Sequence, residues 1–347
     1  MKTTAPTRTI KTTKPASKRF DFPGKGALLD ILTAPRAHNS HGELTLGDTL
    51  RTRYDLGRFH SPSPEAQVLA YHTTIHHPDG SPPTTLFCAH LDTVDNTTPG
   101  QPDHVLVEDN ATLYTDGNSI LGADCGAGVW VLTQMIEARH PGTYLFTRGE
   151  ERGGIGASGT ALHHPDWLAC FTSAVAFDRG GTSSVITHQS YGRCCSDAFA
   201  LELAERLNDT LELDGYLLSP DNTGAYTDTA EWTHLIPECT NISIGYSRQH
   251  TSNESLDLRY LSMLPGAVMR VDWEALPTAR DCDESDPGYV ERYSFSGYTS
   301  DQYSHNLTIN ANEVLYDLRL MSRAEVVDFC YENPEEAAAA LNELLGK

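Results

Sequence analysis

The 347-residue chain contains no run of about 18 apolar residues, the length needed to span a bilayer as a helix. Its N-terminus has no apolar core of the kind a secretory signal carries, so neither membrane insertion nor export is expected and a cytoplasmic location is. Basic residues are scarce, with 25 Lys and Arg against 47 Asp and Glu for a net charge of -22. Such a chain repels phosphate backbones and anionic headgroups. Nucleic acid and membranes are therefore not expected as partners, and neutral or cationic small substrates fit better. Also missing is any C-x-x-C pair. The eight cysteines, Cys88, Cys125, Cys170, Cys194, Cys195, Cys239, Cys282 and Cys330, are scattered rather than densely spaced, which excludes a disulfide scaffold and points to reduced thiols.

What is present is an ordinary globular composition, 39% hydrophobic and 21% charged, enough for a large α/β domain with a sizeable core plus extensions. Residues 1–20 hold six Lys or Arg and no acid and read as a flexible basic tail whose protein partner, if it has one, is unknown. A transit peptide has a similar composition, but Pro6, Pro15 and the lack of an apolar face speak against it. The acid-rich stretch 280–287 closes a body at 21–279. Beyond it, residues 280–347 read as an extension with two short helices, 322–331 and 334–345, the first opened by a capping box of Ser322 and Glu325 and the second by Pro334.

Within the body, apolar runs at 67–71, 85–89, 144–147, 173–177, 184–187 and 241–245 read as buried strands. Residues 126–139 and 197–208 repeat apolar positions at helical spacing, through Val129, Leu132, Met135 and Ile136 and through Phe199, Leu203 and Leu207. The alternation predicts a three-layer α/β/α sandwich around a mostly parallel mixed sheet.

Five motifs follow strand ends or open helices. In Cys88-Ala-His90-Leu-Asp92-Thr-Val94, His90 ends a strand, where α/β sheets build their sites; it can offer a metal-binding nitrogen with Asp92 orienting the ring, or both can be structural. Leu121-Gly-Ala-Asp124-Cys-Gly126-Ala-Gly128 sets Asp124 at a helix entrance, and the residue's own best reading is an N-cap. Phe146-Thr-Arg-Gly-Glu150-Glu151 sets two carboxylates after a strand, where one can bind a metal while its neighbour takes a proton, or where both simply face solvent. Ala176-Phe-Asp178-Arg179 ends an apolar run in a carboxylate that needs a cation nearby, Arg179 being one candidate. Gly245-Tyr-Ser-Arg-Gln-His250-Thr-Ser-Asn-Glu254 offers a loop histidine. Taken singly, each has a bland reading; five in order supply two histidines and the carboxylates that zinc accepts.

In this order the motifs resemble the di-zinc exopeptidase superfamily: bacterial di-zinc aminopeptidases, the glutamyl aminopeptidase family, peptidase T and their carboxypeptidase relatives. The resemblance spans about residues 21–261. It implies that Asp124 bridges two zinc ions, with His90 and Asp178 on one metal and Glu151 and His250 on the other. It further implies Glu150 as general base, Asp92 as the group orienting His90, and Tyr226-Thr-Asp228-Thr-Ala-Glu-Trp232 as a pocket-lining stretch in which Tyr226 steadies an oxyanion. Many relatives have Asp or Asn where this chain has Cys125, a thiol that can compete for zinc. A separation of 72 positions from Asp178 to His250 leaves no room for an inserted lid domain. A lidless aminopeptidase acting on small peptides is the expectation. The rivals are a deacylase or carboxypeptidase gripping a substrate carboxylate with Arg179, Arg193 or Arg248, and a catalytically silent binding module.

Overall fold

The computed structural model describes residues 19–62, 67–94, 104–189 and 192–282, all of which belong to one compact unit, residues 1–290. Nearly all of the basic tail and both expected C-terminal helices lie outside the described residues. In chain order the elements are α1 (Lys25–Thr33), α2 (His41–Tyr54), β1 (Gly57–His60), β2 (Val68–Ile75), β3 (Thr85–His90), β4 (Leu106–Asp109), β5 (Thr112–Thr115), α3 (Ala123–Glu137), β6 (Gly142–Thr147), α4 (Ile155–His163), α5 (Pro165–Leu168) and β7 (Ser173–Arg179). They continue with β8 (Ser184–Ile186), β9 (His188–Gln189), β10 (Gly192–Arg193), α6 (Asp197–Leu211), β11 (Ser219–Asp221), β12 (Glu238–Ser243), β13 (Tyr246–Ser247), β14 (Ser255–Asp257) and α7 (Leu258–Val268).

Strands β3, β6 and β7 have no polar face because both of their faces are covered. Phe87, Ala89, Tyr144, Phe146, Val175 and Phe177 pack into one core with residues of α1, α3, α6 and α7. Their alternating neighbours Leu86, Cys88, Leu145, Ala174 and Ala176 pack into a second core with α4, α5 and the short turn carrying Trp232. Period-2 alternation thus feeds two helical layers, and the expected three-layer sandwich is what the chain forms. Helix α3 is buried almost all round, as befits a helix pressed on the middle of a sheet.

The main sheet has eight strands in the order β1-β2-β6-β3-β7-β12-β8-β11. Pairs β6–β3, β3–β7 and β7–β12 are parallel, so the carboxyl ends of four adjacent strands open on the same edge, where α/β sheets hold ligands. A smaller antiparallel sheet, β13-β14-β5-β4, carries the chain past His250. Between Asp178 and His250 the described residues form β8 to β13 and α6, all within the same compact unit, and no lid domain intervenes among them.

The turn after β6 is held by a buried ion pair. Arg148 donates from Nε and Nη2 to the Glu43 oxygens at 3.1 and 2.8 Å, and from Nη1 to the Val68 carbonyl at 3.0 Å. Burial works to raise the Glu43 carboxyl, but hydrogen bonds from His38 and Arg148 outweigh it and keep it below the ordinary value of 4.5. Its contribution is therefore full above that value and lost as pH falls through the lower, folded one. Arg148→Met strands a buried carboxylate and is expected to cost about 3–5 kcal/mol in urea unfolding at neutral pH. The gap to wild type should narrow on acidification as Glu43 takes up a proton; a gap that stays constant would contradict the assignment.

Candidate metal centre

The structure brings the scattered motif residues to one cavity of about 370 Å³, whose walls include Asp124, Glu150, Glu151, Asp178 and His250. His90 lies beneath them, 1% exposed. Its Nδ1 is 3.0 Å from the Asp92 carbonyl oxygen, a contact in which only the ring can donate, so Nε2 is the nitrogen turned to the carboxylates. That nitrogen lies 3.1 Å from Asp124 Oδ1, 3.3 Å from Asp178 Oδ1 and 3.9 Å from Glu150 Oε2. Across the cleft His250, in a left-handed loop conformation, sets its Nε2 3.1 Å from Asp124 Oδ2 and 2.9 Å from Glu151 Oε1. Each oxygen of Asp124 thus faces one histidine.

Backbone contacts hold the acids in position. Asp92 accepts from the amides of Gly149 (2.8 Å), Glu150 (3.1 Å) and Glu151 (3.2 Å), so its carboxylate fixes the turn with the paired glutamates. This refines the expected role: His90 is oriented through the Asp92 carbonyl, the carboxylate being 3.6 Å from its Nδ1. Burial works against charge on Asp92, but His90 and these amides hold it below the ordinary carboxylate range. Asp178 accepts from the Thr227 hydroxyl at 2.6 Å, while its amide donates to Asn241 Oδ1 at 2.9 Å. A side chain at Gly128 would approach the Phe177 carbonyl oxygen to 2.0 Å; glycine lets α3 press on β7 and bring Asp124 beside Asp178.

The N-cap reading of Asp124 is overturned. The cap position is Gly122, with no side-chain cap, and Asp124 and Cys125 have non-helical dihedrals. The amides leading into α3 are received by Glu254, whose Oε2 accepts from Leu121 and Gly122, each at 2.9 Å, and whose Oε1 accepts from Asp124 at 3.1 Å. Sequence reasoning reached Glu254 as the last residue of the fifth motif and assigned it no role. Asp228, quoted only within the Tyr226 stretch, is 1% exposed, accepts from the Thr147 hydroxyl and has its other oxygen buried without a hydrogen bond.

Several observations fit a divalent cation. Nitrogen and oxygen atoms of Asp124, Glu151 and His250 lie within 4.8 Å of one another, as do those of His90, Glu150 and Glu151. Asp178 Oδ1 and Glu151 Oε1 are buried and close to histidine nitrogens, yet neither meets hydrogen-bond geometry. Burial, together with the charges of Asp178, Asp228 and Glu151, pushes Glu150 up to about 10 against the pull of His90. Burial and Asp124 likewise push Asp178 up to about 6. So dense a group of acids calls for a proton or a cation, and its donor set is one zinc accepts. Cys125 also lies within 4.8 Å of the His90 and Asp178 donor atoms. Its sulfur donates to the Phe177 carbonyl at 2.9 Å, and burial holds the thiol well above its ordinary value.

The residues expected to touch substrate are differently engaged. Tyr226 lines the cavity with its hydroxyl donating to Glu231 at 2.9 Å. A phenol has one proton, and Tyr226 meets an oxyanion only by releasing Glu231. Arg179 also lines the cavity, 2.9 Å from Thr223 Oγ1 and 3.4 Å from Asp221 Oδ2. Arg193 is turned to Asp197 at 2.7 Å, and Arg248 is exposed.

No family model matches the chain, and no curated protein matches it in sequence. Among solved structures, the chain is similar to the aminopeptidase PepT from Bacillus cereus, with a TM-score of 0.59 at 14% identity over 72% of this chain and 97% of that one. It is similar to a tripeptidase from Staphylococcus aureus, with a TM-score of 0.57 at 15% identity over 71% and 96%. It is also similar to the LapA aminopeptidase from Legionella pneumophila, with a TM-score of 0.50 at 16% identity over 74% and 71%. At these identities the likeness to these peptidases is one of fold.

Proposed function

We propose that this chain is a zinc-dependent exopeptidase of the aminopeptidase kind, acting on small peptides with a free α-amine. The observation that carries the reading is the convergence of His90, Asp124, Glu150, Glu151, Asp178 and His250 around one cavity at the strand ends. His90 and Asp178 would hold one zinc ion, Glu151 and His250 the other, and Asp124 both, in keeping with its two oxygens each facing a histidine. When bound, such a pair supplies Lewis acidity and eases the ionisation of water. Glu150 serves as general base: it takes the proton from the attacking water and returns it to the leaving amine. Asp92 keeps the turn of Glu150 rigid by accepting its amide and those of its two neighbours.

Preference for a free amine rests on charge. Among the described residues lining the cavity, Asp124, Glu150, Glu151 and Asp178 supply carboxylates while Arg179 is the one guanidinium, and that group is already shared between Thr223 and Asp221. A cationic substrate terminus suits such a pocket better than an anionic one. A carboxypeptidase or deacylase would need Arg179 to leave these partners.

The test pairs elemental analysis with a panel of free-amine, N-acetylated and C-amidated di- and tripeptides. About two zinc ions per chain, with cleavage of free-amine peptides whether or not they are amidated, is the expected outcome. Cleavage confined to N-acetylated peptides would transfer the site to the deacylase or carboxypeptidase reading. Absence of all hydrolysis after zinc supplementation would leave a binding module.

A further inference from the structure

Two demands compete at the start of α3. Its first amides need acceptors, and an aspartate at that point is among the best residues to provide one. Asp124 instead turns both oxygens to His90 and His250. The turn that carries it is held from 130 residues away, for Glu254 accepts from Leu121, Gly122 and Asp124 at 2.9, 2.9 and 3.1 Å. Glu254 is 1% exposed and stands four positions after His250. One carboxylate therefore fills the helix start and ties the loop bearing His250 to the turn bearing Asp124.

Resting on the metallopeptidase reading above, we propose that Glu254 is a positioning residue: by accepting from the amides of Leu121, Gly122 and Asp124 it fixes the turn that bears the Asp124 carboxylate and sets the spacing between Asp124 and His250. Without it, the turn bearing Asp124 and the loop bearing His250 lose their common tie, and the Asp124 carboxylate no longer meets both histidines. Both metal positions then lose the placement of their shared ligand while α3, buried almost all round, stays packed on the sheet, so a defect in metal binding is separable from a loss of fold.

The discriminating variant is Glu254→Gln. Its amide oxygen can still receive Leu121 and Gly122, but its NH₂ group then opposes the Asp124 amide, which cannot accept. The full chain, wild type and variant, is stripped with EDTA, titrated with zinc against a competing chelator dye, melted in EDTA, and assayed at saturating zinc. The expected result is zinc affinity lowered about 10- to 100-fold for at least one of two equivalents, a melting temperature in EDTA close to wild type, and a fall in kcat with KM unchanged. Wild-type zinc affinity in E254Q would overturn the proposal. So would a variant that fails to fold or melts far below wild type in EDTA, because Glu254 would then be holding the helix alone. Failure of the wild type itself to take up zinc would instead remove the metallopeptidase reading, and the proposal with it.

Discussion

Glu150→Gln is expected to keep both zinc ions and the wild-type melting temperature while kcat falls by about 10²- to 10⁴-fold, the range for loss of a positioned general base. The substitution preserves shape and removes only the ability to take a proton. The backbone of the turn is held independently, since Asp92 accepts the amides of Gly149, Glu150 and Glu151 whatever the side chain at position 150. Glu150 lies farther from His90 Nε2, at 3.9 Å, than Asp124 and Asp178 do at 3.1 and 3.3 Å, in keeping with a base beside the metal ligands. Single-turnover rates and zinc content measured on the same preparation check this. Undiminished kcat would remove Glu150 from the chemistry, and loss of one zinc ion with retained turnover by the remainder would move it among the ligands.

Asp124→Ala should have the larger structural reach: loss of both zinc ions and a fall in kcat/KM of at least about 10³-fold, since the Lewis acidity of the pair is worth several kcal/mol. Burial opposes charge on Asp124, yet hydrogen bonds from His250 and His90 hold it well below the ordinary carboxylate range. That balance singles it out as the anion on which both histidines depend. His250→Ala provides the contrast, because this ring is 47% exposed and lies on one side of the site, 3.1 Å from Asp124 Oδ2 and 2.9 Å from Glu151 Oε1. It should cost one zinc ion of the two. Elemental analysis of the two variants side by side decides the matter, and equal losses would show that Asp124 is not shared.

The sandwich and most of the candidate ligands were legible because they depend on local pattern. Strands buried on both faces are largely apolar, so β3, β6 and β7 stand out as runs, and the first histidine or acid at or after the end of such a run, His90, Glu150 with Glu151, and Asp178, marks the edge where the sheet opens. Other elements gave no such signal. Strands β13 and β14 are two and three residues long, too short for periodicity to register. Helix α2 is largely polar and buries only Glu43, Gly47 and Leu50.

Sequence by itself determined which residues could serve as ligands and base, and that they stand at strand ends, because burial and strand alternation are written in adjacent positions. Tertiary structure alone turned the Asp124 oxygens away from a cap, by bringing His90 and His250 to them, and brought Glu254 to the turn before α3 across 130 positions. It alone paired Glu43 with Arg148 across 105 positions, turned the Asp92 carboxylate to the glutamate turn, and drew the Cys125 thiol to a carbonyl. The reason is common to all of these: a polar side chain's partner is chosen by distance and direction in space, and a buried group must find one wherever the fold supplies it.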